Sequence, residues 1–193
     1  MASKDCLREI YRRKRGTLSD EERAALSLSI CRAVTTSEAF IRSSAIHVFL
    51  PIKRLREIDT MPIANAVWNA GKTLVVSVSD LASGDMTNYA APKDTVFTEN
   101  SWGIPEPENV LSMKKIRSET IDMVIVPLLA YDTRGARVGY GRGFYDRFLS
   151  ACRADTVKAG VSFFPPEENA IEDTTDDDIP LDCCFTPHGC LRF

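Results

Sequence analysis

The chain has 193 residues, of which 44% are hydrophobic and 26% are charged, the composition of an ordinary globular protein. Its net charge of −3 disfavours nucleic acid as a partner, because nucleic-acid binding needs a broad positive surface. The sequence has no apolar run of about 18 residues that could span a membrane, and its first residues lack the apolar core of a secretory signal. We therefore predict a single domain over residues 1–193, located in the cytoplasm and binding neither nucleic acid nor a membrane.

The first predicted element is a helix that begins after Ser3, its N-cap, and runs through Arg15 to end at Gly16. At about 100° per residue, one face of this helix collects four cations. They are Lys4, Arg8, Arg12 and Arg15. A solvated helix face, a nucleic-acid patch and a group that grips phosphate are all open interpretations of this stripe, and the run from Arg12 to Arg15 is compatible with simple solvation.

A second helix and the first strand follow. Ser19 and Glu22 form a capping box, in which each side chain bonds the backbone of the other residue at the start of the helix. Residues 45–50 are predicted to form a buried strand. We interpret His47, in the middle of that strand, as a packed core residue rather than a catalyst.

The next segment predicts a β-α-β unit. Thr60 is the expected N-cap of the helix, and residues 73–78 form the second strand, parallel to the first. Ligands of such sheets collect at the carboxyl ends of the strands, where Glu57 lies. Glu57 is therefore either an acceptor for N–H groups of a ligand or one half of a surface ion pair with Arg54 or Arg56.

The second half of the chain continues the alternation of strands and helices. Short strands are expected over residues 86–91 and 95–97, and Trp102 after them is either a core residue or a wall against which a flat ring stacks. Further buried strands are predicted at residues 121–126, 157–163 and 183–186. The acidic stretch 165–178 is predicted to be a solvated loop. The alternation predicts an α/β fold whose central, mostly parallel sheet is covered on both faces.

A glycine-rich, basic loop lies between the strand at 121–126 and a helix predicted to begin at Phe144. Gly139, Gly141 and Gly143 can adopt positive φ and bring backbone N–H groups close to an anion. Three arginines accompany them, Arg137, Arg142 and Arg147. The spacing matches neither the Rossmann nor the Walker A pattern, so a tight strand-to-helix turn explains the glycines equally well.

The segment 137–149, with sequence RVGYGRGFYDRFL, resembles the nucleotide-binding signature of the 5-formyltetrahydrofolate cyclo-ligase family, also called methenyltetrahydrofolate synthetases. The resemblance extends to Lys4, Arg8, residues 49–50, 57–60 and 101–107, and the last strand after Asp178. It implies a three-layer, Rossmann-like sandwich of the ribose-phosphate isomerase and CoA-transferase type. It also implies ATP-dependent cyclisation of 5-formyltetrahydrofolate to 5,10-methenyltetrahydrofolate, with release of ADP and phosphate.

The resemblance further implies roles for individual residues. ATP is expected to contact Lys4, Arg8, Arg137, Gly139, Tyr140, Gly141, Arg142, Gly143, Phe144 and Tyr145. The folate is expected to contact Leu50, Glu57, Trp102, Tyr140 and Phe144. The expected catalytic residues are Arg137, Arg142 and Tyr145. Mg²⁺ is expected on Asp146 and Asp178, although Asp176 and Asp177 are neighbouring alternatives to Asp178.

Reduced folate and ATP are thus the expected partners of a chain that we expect to be monomeric. The residues also depart from the family pattern in places. Phe144 stands where tyrosine is common, and Phe164-Pro165-Pro166 replaces a glutamine-containing stretch. A nucleotide-binding or sugar-phosphate-binding protein of the same fold, without ligase activity, is the alternative function.

Overall fold

A computed structural model describes residues 3–80 and 82–193 of the chain. The helices are α1 (Lys4–Thr17), α2 (Asp20–Thr35), α3 (Glu38–Arg42), α4 (Met61–Asn69) and α5 (Phe144–Ser150). The strands are β1 (Ala45–Val48), β2 (Thr73–Ser79), β3 (Met86–Ala90), β4 (Phe97–Glu99), β5 (Pro105–Pro107), β6 (Lys115–Ile116), β7 (Met123–Pro127), β8 (Ala130–Tyr131), β9 (Arg137–Val138), β10 (Val157–Val161), β11 (Cys183–Thr186) and β12 (Gly189–Arg192).

The centre of the described structure is a sheet of eight strands in the order β12-β11-β10-β7-β1-β2-β3-β6. The strands from β11 to β2 in this order pair in parallel. The outer strands β12, β3 and β6 pair antiparallel. Two hairpins, β4 with β5 and β8 with β9, lie outside this sheet. The predicted α/β fold with a mostly parallel central sheet is confirmed.

Helices cover both faces of the sheet, because side chains alternate between the two faces along each strand. On one face, Ile46 and Ile125 pack in the same apolar cluster as Val34 of α2 and Val67 of α4. On the other face, the side chains of β7 pack with the apolar residues of α5. The result is a three-layer arrangement with the sheet in the middle.

Helix α1 packs at the end of the sheet rather than on a face. Leu7 and Tyr11 are buried against Leu129 and Val138, which belong to the segment of the β8–β9 hairpin. This packing holds the first turns of α1 next to the carboxyl ends of the parallel strands. Ligands of open α/β sheets bind at that edge.

The helix boundaries agree with the sequence in part. The Ser3 cap and the capping box at the start of α2 are confirmed. Helix α1, however, continues past Gly16 to Thr17. The predicted side-chain cap by Thr60 is wrong: its hydroxyl donates to the Phe49 carbonyl, and the carboxylate of Asp59 accepts the N–H at the start of α4 instead.

Several strand boundaries differ from the prediction. Strand β1 ends at Val48, two residues early, because the chain turns away from the sheet towards the site described below. Strand β4 begins at Phe97 rather than at residue 95. Strand β12 was not predicted; it pairs with β11 across a turn at Pro187 and His188. Over the residues described, no helix combines the length and the apolar character needed to cross a membrane.

Candidate active site

A cavity of about 480 Å³ opens at the carboxyl ends of β1 and β7. We call it the site cavity. Every residue that the sequence analysis assigned to the site contributes to its lining. These residues are Lys4, Arg8, Leu50, Glu57, Trp102, Arg137, Gly139, Tyr140, Gly141, Arg142, Gly143, Phe144, Tyr145, Asp146 and Asp178. Side chains that are far apart in the sequence therefore share one space.

The glycine-rich loop only partly matches its predicted conformation. Gly141 has φ of +91° and Gly143 has φ of +68°, values that favour glycine over other residues. Gly139 does not have positive φ, so that part of the prediction is wrong. Its carbonyl instead accepts a hydrogen bond from Arg8 Nε at 3.0 Å. The loop is thereby joined to helix α1.

The first turns of α1 are also joined to the acidic stretch near the C-terminus. The Lys4 ammonium pairs with Asp178, and the Lys4 backbone N–H donates to Asp173 at 2.8 Å. The hydroxyl of Tyr11 donates to Glu167 at 2.6 Å. The acidic stretch is a loop with mostly exposed acids, as predicted, but these contacts tie three of its acids to α1. Asp176 and Asp177 remain exposed, whereas Asp178 lines the site cavity.

The three arginines of the loop have different environments. Arg137 is buried, and its Nη2 lies 2.6 Å from the Asp146 carboxylate, which also accepts the N–H of Ile179. Arg147 donates to the carbonyls of Gly84 and Arg142, and it is not among the residues that line the cavity. Arg147 therefore lies beside the loop with its charge fixed by these carbonyls, but outside the cavity lining.

Arg142 lines the cavity on its solvent-exposed side, which we call the mouth. Its guanidinium lies over the ring of Trp102, 5.1 Å from the ring centre. Trp102 is 47% exposed, which excludes the core alternative for this residue. Arg54 donates to the Trp102 carbonyl at 2.9 Å and fixes the position of that segment. The two side chains form a flat, cationic rim.

Glu57 lines the part of the cavity next to Tyr140 and Ile52, which we call the Glu57 end, and is almost fully buried. Its Oε1 accepts the hydroxyl of Tyr140 at 2.5 Å, and its Oε2 accepts the backbone N–H of Ile52 at 2.6 Å. The alternative of a surface ion pair is contradicted, because Arg54 binds Trp102 and Arg56 binds the Leu18 carbonyl.

The pKa of Glu57 is raised above its ordinary value. Burial is the largest cause, since it disfavours the charged form. The hydrogen bonds from Tyr140 and Ile52 and the charges of Arg15 and Arg54 act in the opposite direction. Burial also raises the pKa of Tyr140, so its phenol remains protonated and able to donate.

Aromatic and apolar side chains form the middle of the cavity. The Tyr145 ring packs edge-on against His47 and Phe148, and burial raises the pKa of its phenol. Leu50 is buried in the cavity wall. Phe144 lies beneath the guanidinium of Arg147, 5.7 Å from it. The walls between the loop and Glu57 are thus apolar, as in most small-molecule sites.

Comparison with known proteins identifies the family. The sequence model of the 5-formyltetrahydrofolate cyclo-ligase family matches residues 1–164. The chain belongs to this family.

Three relatives illustrate the cyclo-ligase similarity. A Schizosaccharomyces pombe protein named "Probable 5-formyltetrahydrofolate cyclo-ligase" is 29% identical, over 98% of this chain and 97% of that protein. The 5-formyltetrahydrofolate cyclo-ligase of Escherichia coli K12 is 30% identical, over 72% of this chain and 76% of its own. The solved structure of Aquifex aeolicus 5,10-methenyltetrahydrofolate synthetase is 29% identical, with a TM-score of 0.82 over 98% of this chain and 92% of that one.

The site cavity of this cyclo-ligase family member contains residues that the sequence analysis did not assign to a site. They are Arg12, His47, Phe49, Ile52, Arg54, Leu55, Ser77, Ser79, Met86, Ile104, Pro105 and Pro127. The position of Arg12 on the same helix face as Lys4 and Arg8 was a usable signal. The serines of β2 gave no signal, because only the pairing of β1 with β2 brings them to the cavity.

His47 is buried, as predicted, although its ring also touches the cavity. Its Nε2 lies 2.8 Å from the hydroxyl of Ser77. Burial lowers the pKa of His47 to about 3, so the ring is neutral at physiological pH. A neutral, packed ring agrees with the interpretation of this residue as part of the core.

Arg15 corrects the sequence analysis most strongly. It was grouped with solvated cations, yet the structure buries it, with only 5% of its surface exposed. Its guanidinium donates to the Tyr140 hydroxyl and the Leu128 carbonyl, both at 2.8 Å. In the sequence, the indication for Arg15 is its place on the cationic stripe that begins with Lys4. This stripe faces the edge of the sheet.

Proposed function

We propose that the site cavity binds ATP and 5-formyltetrahydrofolate together and catalyses cyclisation to 5,10-methenyltetrahydrofolate, with release of ADP and phosphate. Family membership is the first support. The structural observation that carries the proposal is that one cavity is lined both by the cationic, glycine-rich loop and by the buried carboxylate of Glu57. A phosphate-binding site alone has no use for such a carboxylate.

The chemistry explains what the protein must supply. The oxygen of a formamide is a poor leaving group, so ATP first transfers its terminal phosphoryl group to that oxygen. The neighbouring amine of the folate then attacks the formyl carbon, and the carbon–oxygen bond breaks with departure of phosphate. Phosphoryl transfer needs mainly positioning and neutralisation of charge. A site rich in arginine, lysine and glycine meets those needs.

We assign the ATP to the end of the cavity formed by α1 and the loop. Lys4 and Arg8 approach this end from α1, and the missing side chain of Gly141 lets the Arg8 guanidinium lie close to the loop, 3.3 Å from where a Cβ would stand. Among the residues described, the Arg142 side chain donates no hydrogen bond and pairs with no acid, so its charge is available to the transferring phosphoryl group. Arg137 is a fixed charge, already oriented by Asp146.

We assign the pterin ring of the folate to the Glu57 end. Each carboxylate oxygen of Glu57 has accepted one hydrogen bond and retains a second lone pair for a ring N–H group. Leu50 and Phe144 would contact the ring faces, and Trp102 would cover the part nearest the mouth. Tyr145 keeps its proton and would donate a hydrogen bond between the two ligands.

Asp146 and Asp178 fit a Mg²⁺ ion beside the nucleotide. In the hydrogen bonds of the described residues, Asp146 uses only Oδ1 and Asp178 only Oδ2, which leaves one oxygen on each carboxylate. The described part of the chain has no cluster of three or more metal-binding side chains, so phosphate oxygens and water would complete the coordination. When bound, Mg²⁺ would neutralise phosphate charge during transfer.

The test follows the absorbance of methenyltetrahydrofolate when the purified protein meets 5-formyltetrahydrofolate, with and without MgATP. Product that forms only with MgATP is the expected result. Binding of an ATP analogue without any product would favour the alternative, a nucleotide-binding protein without ligase activity. Arg13→Met, which removes an exposed charge of α1 that pairs with Glu9, is the matched control and should be fully active.

The cytoplasmic location and the monomeric state stay predictions.

A further inference from the structure

Arg15 connects three parts of the chain that meet at the Glu57 end of the cavity. From α1, its Nη1 donates to the Tyr140 hydroxyl at 2.8 Å and to the Leu55 carbonyl at 3.4 Å. Its Nη2 donates to the Leu128 carbonyl at 2.8 Å. Among the residues described, no carboxylate lies within ion-pair distance of this buried guanidinium. The charge of Arg15 therefore lacks a direct partner in the part of the chain that the structure describes.

The direction of the hydrogen bonds shows where the compensating charge lies. A guanidinium can only donate, so the Tyr140 oxygen accepts from Arg15, and the Tyr140 O–H donates to Oε1 of Glu57. The backbone N–H of Ile52 donates to the other carboxylate oxygen. Both oxygens thus accept hydrogen bonds, which is the arrangement of an ionised carboxylate. Arg15 and Glu57 form a charge pair in which a phenol stands between the two groups.

We propose that Arg15 is a positioning residue that, through Tyr140, holds Glu57 as an ionised acceptor and fixes the glycine-rich loop against the Glu57 end. The inference rests on the proposed function for its consequence, because an ionised Glu57 matters to the reaction as the acceptor for the folate ring. The hydrogen-bonded link from Arg15 through Tyr140 to Glu57 can be tested in the ligand-free protein.

The charges around Glu57 indicate why the link matters. Tyr140 and Tyr145 face it from the loop and α5, Arg15 from α1, and Arg54 from the turn before it. Arg54 is exposed, so water screens its charge, whereas the charge of Arg15 is buried. Both phenols are neutral. After the hydrogen bonds from Tyr140 and Ile52, Arg15 is consequently the main charge that opposes the effect of burial on the carboxylate.

The decisive measurement is the pKa of the Glu57 carboxyl in the ligand-free protein, from the ¹³C chemical shift of labelled glutamate. Glu57→Gln assigns the resonance. We expect Arg15→Met to raise this pKa by about one unit or more, the size typical for loss of a nearby opposite charge. Arg15→Lys should restore part of the difference, and Arg13→Met should match the wild-type protein. Equal pKa values in Arg15→Met and the wild-type protein would overturn the proposal.

A second variant covers the case in which Arg15→Met does not fold. Tyr140→Phe keeps the arginine and removes only the hydroxyl between the two charges, and it should raise the Glu57 pKa in the same direction. An unchanged Glu57 pKa in folded Tyr140→Phe would also overturn the proposal.

The consequence for the reaction has its own readout. The affinity of Arg15→Met for 5-formyltetrahydrofolate should begin to fall at a higher pH than that of the wild-type protein, because the carboxylate becomes protonated sooner. KM for the folate should rise by up to about tenfold for one pKa unit at pH values below the Glu57 pKa, where the ionised fraction limits binding, while kcat changes less. A pH profile that does not move would show a merely structural arginine. Failure of the wild-type protein to bind the folate would refute the proposed function instead, and the Glu57 pKa would still decide the role of Arg15.

Discussion

The acidic residues at the two ends of the site cavity have different kinds of partner. We call the part formed by α1 and the glycine-rich loop the loop end. At the loop end, Asp146 pairs directly with Arg137, and Asp178 pairs directly with Lys4. Burial tends to raise the pKa of Asp178, but the hydrogen bonds from Lys4 and Thr175 outweigh it and lower the pKa. At the other end, Glu57 contacts a phenol and a backbone amide rather than a cation, and its pKa is raised.

The difference indicates what each end can bind. Direct pairing neutralises the acids of the loop end, so the positive charge of Arg142 can attract an anion such as a triphosphate, and Arg8, which pairs with the exposed Asp5, lies beside it in the cavity lining. At the Glu57 end the carboxylate keeps lone pairs in an apolar wall, where hydrogen bonds to N–H groups are strong because water is excluded. One cavity therefore offers an anion site and an N–H acceptor site next to each other.

The largest expected effect is at the loop end, from Arg142→Ala. Removal of a preorganised charge that acts on a transferring phosphoryl group typically costs about 3 kcal/mol, or roughly 100-fold in kcat. Folate affinity should change far less. Steady-state kinetics with each substrate varied would check both statements. Arg142→Lys is the informative control, since it keeps the charge, and a kcat near the wild-type value in Arg142→Ala would remove this residue from the mechanism.

The next effect separates the two ends. Glu57→Gln replaces an acceptor with a group that is partly a donor, so a ring N–H would lose its partner. Loss of a hydrogen bond to a charged group is worth about 1.5–3 kcal/mol, which predicts a decrease in folate affinity of roughly 10- to 150-fold.

Affinity for an ATP analogue should barely change in Glu57→Gln. Calorimetric titration of 5-formyltetrahydrofolate and, separately, of the analogue measures the two. Equal losses for both ligands would contradict the division of the cavity into two ends.

The loop end could be predicted from the sequence better than the Glu57 end. The fold class and the glycine-rich loop follow from local patterns, namely apolar periodicity and a short motif. The burial of Arg15 does not, because it depends on Leu128 and Tyr140, which lie 113 and 125 residues away along the chain. Local propensity also predicts the wrong cap at Thr60, because the Thr60 hydroxyl donates to the Phe49 carbonyl of a neighbouring segment rather than capping its own helix.

The roles of the acids were the hardest part to predict. The stretch 165–178 contains seven acids and was predicted to be solvated. Asp178 pairs with Lys4 because α1 packs next to this part of the stretch. The sequence around Glu57 suits a surface ion pair equally well, because a motif does not contain the burial of the side chain. The sign of a pKa shift depends on burial and on partners distant in sequence, and a short sequence motif predicts neither.

The opposite pKa shifts of Asp178 and Glu57 should also change how the free energy of unfolding depends on pH. This effect is expected to be smaller than the effects on kcat and on folate affinity. Because the pKa of Asp178 is lowered, its ionised form should stabilise the fold by about 1 kcal/mol at neutral pH, the upper range for a partly exposed ion pair. This contribution should disappear as pH falls through the lowered pKa of Asp178, below its ordinary value of about 3.9. Urea unfolding of wild-type protein and Asp178→Asn at several pH values, with a chelator present, measures it.

Glu57→Gln in the same experiment should show the reverse trend. The pKa of Glu57 is raised, so its contribution is fully present below its unfolded-state pKa and is lost as pH rises through the folded-state pKa. The stability of the wild-type protein relative to Glu57→Gln should therefore decline with rising pH. The same sign of pH dependence in both variants would contradict the comparison.

The smallest expected effect is at the mouth, where the two ends meet. Trp102 is half exposed, and its ring is covered by the guanidinium of Arg142. An exposed cation–π contact is worth about 0.5–1 kcal/mol, so Trp102→Ala should lower folate affinity by only about two- to fivefold. The carbonyl that binds Arg54 belongs to the backbone and is retained in this variant.

Trp102→Phe should recover most of the affinity, because an aromatic face remains for both the arginine and a folate ring. Fluorescence or calorimetric titration of 5-formyltetrahydrofolate into the two variants distinguishes them. If Trp102→Ala instead lowered kcat as strongly as Arg142→Ala, the ring would be needed to orient the arginine for phosphoryl transfer. The rim would then belong functionally to the loop end, and the boundary between the two ends would lie closer to Glu57.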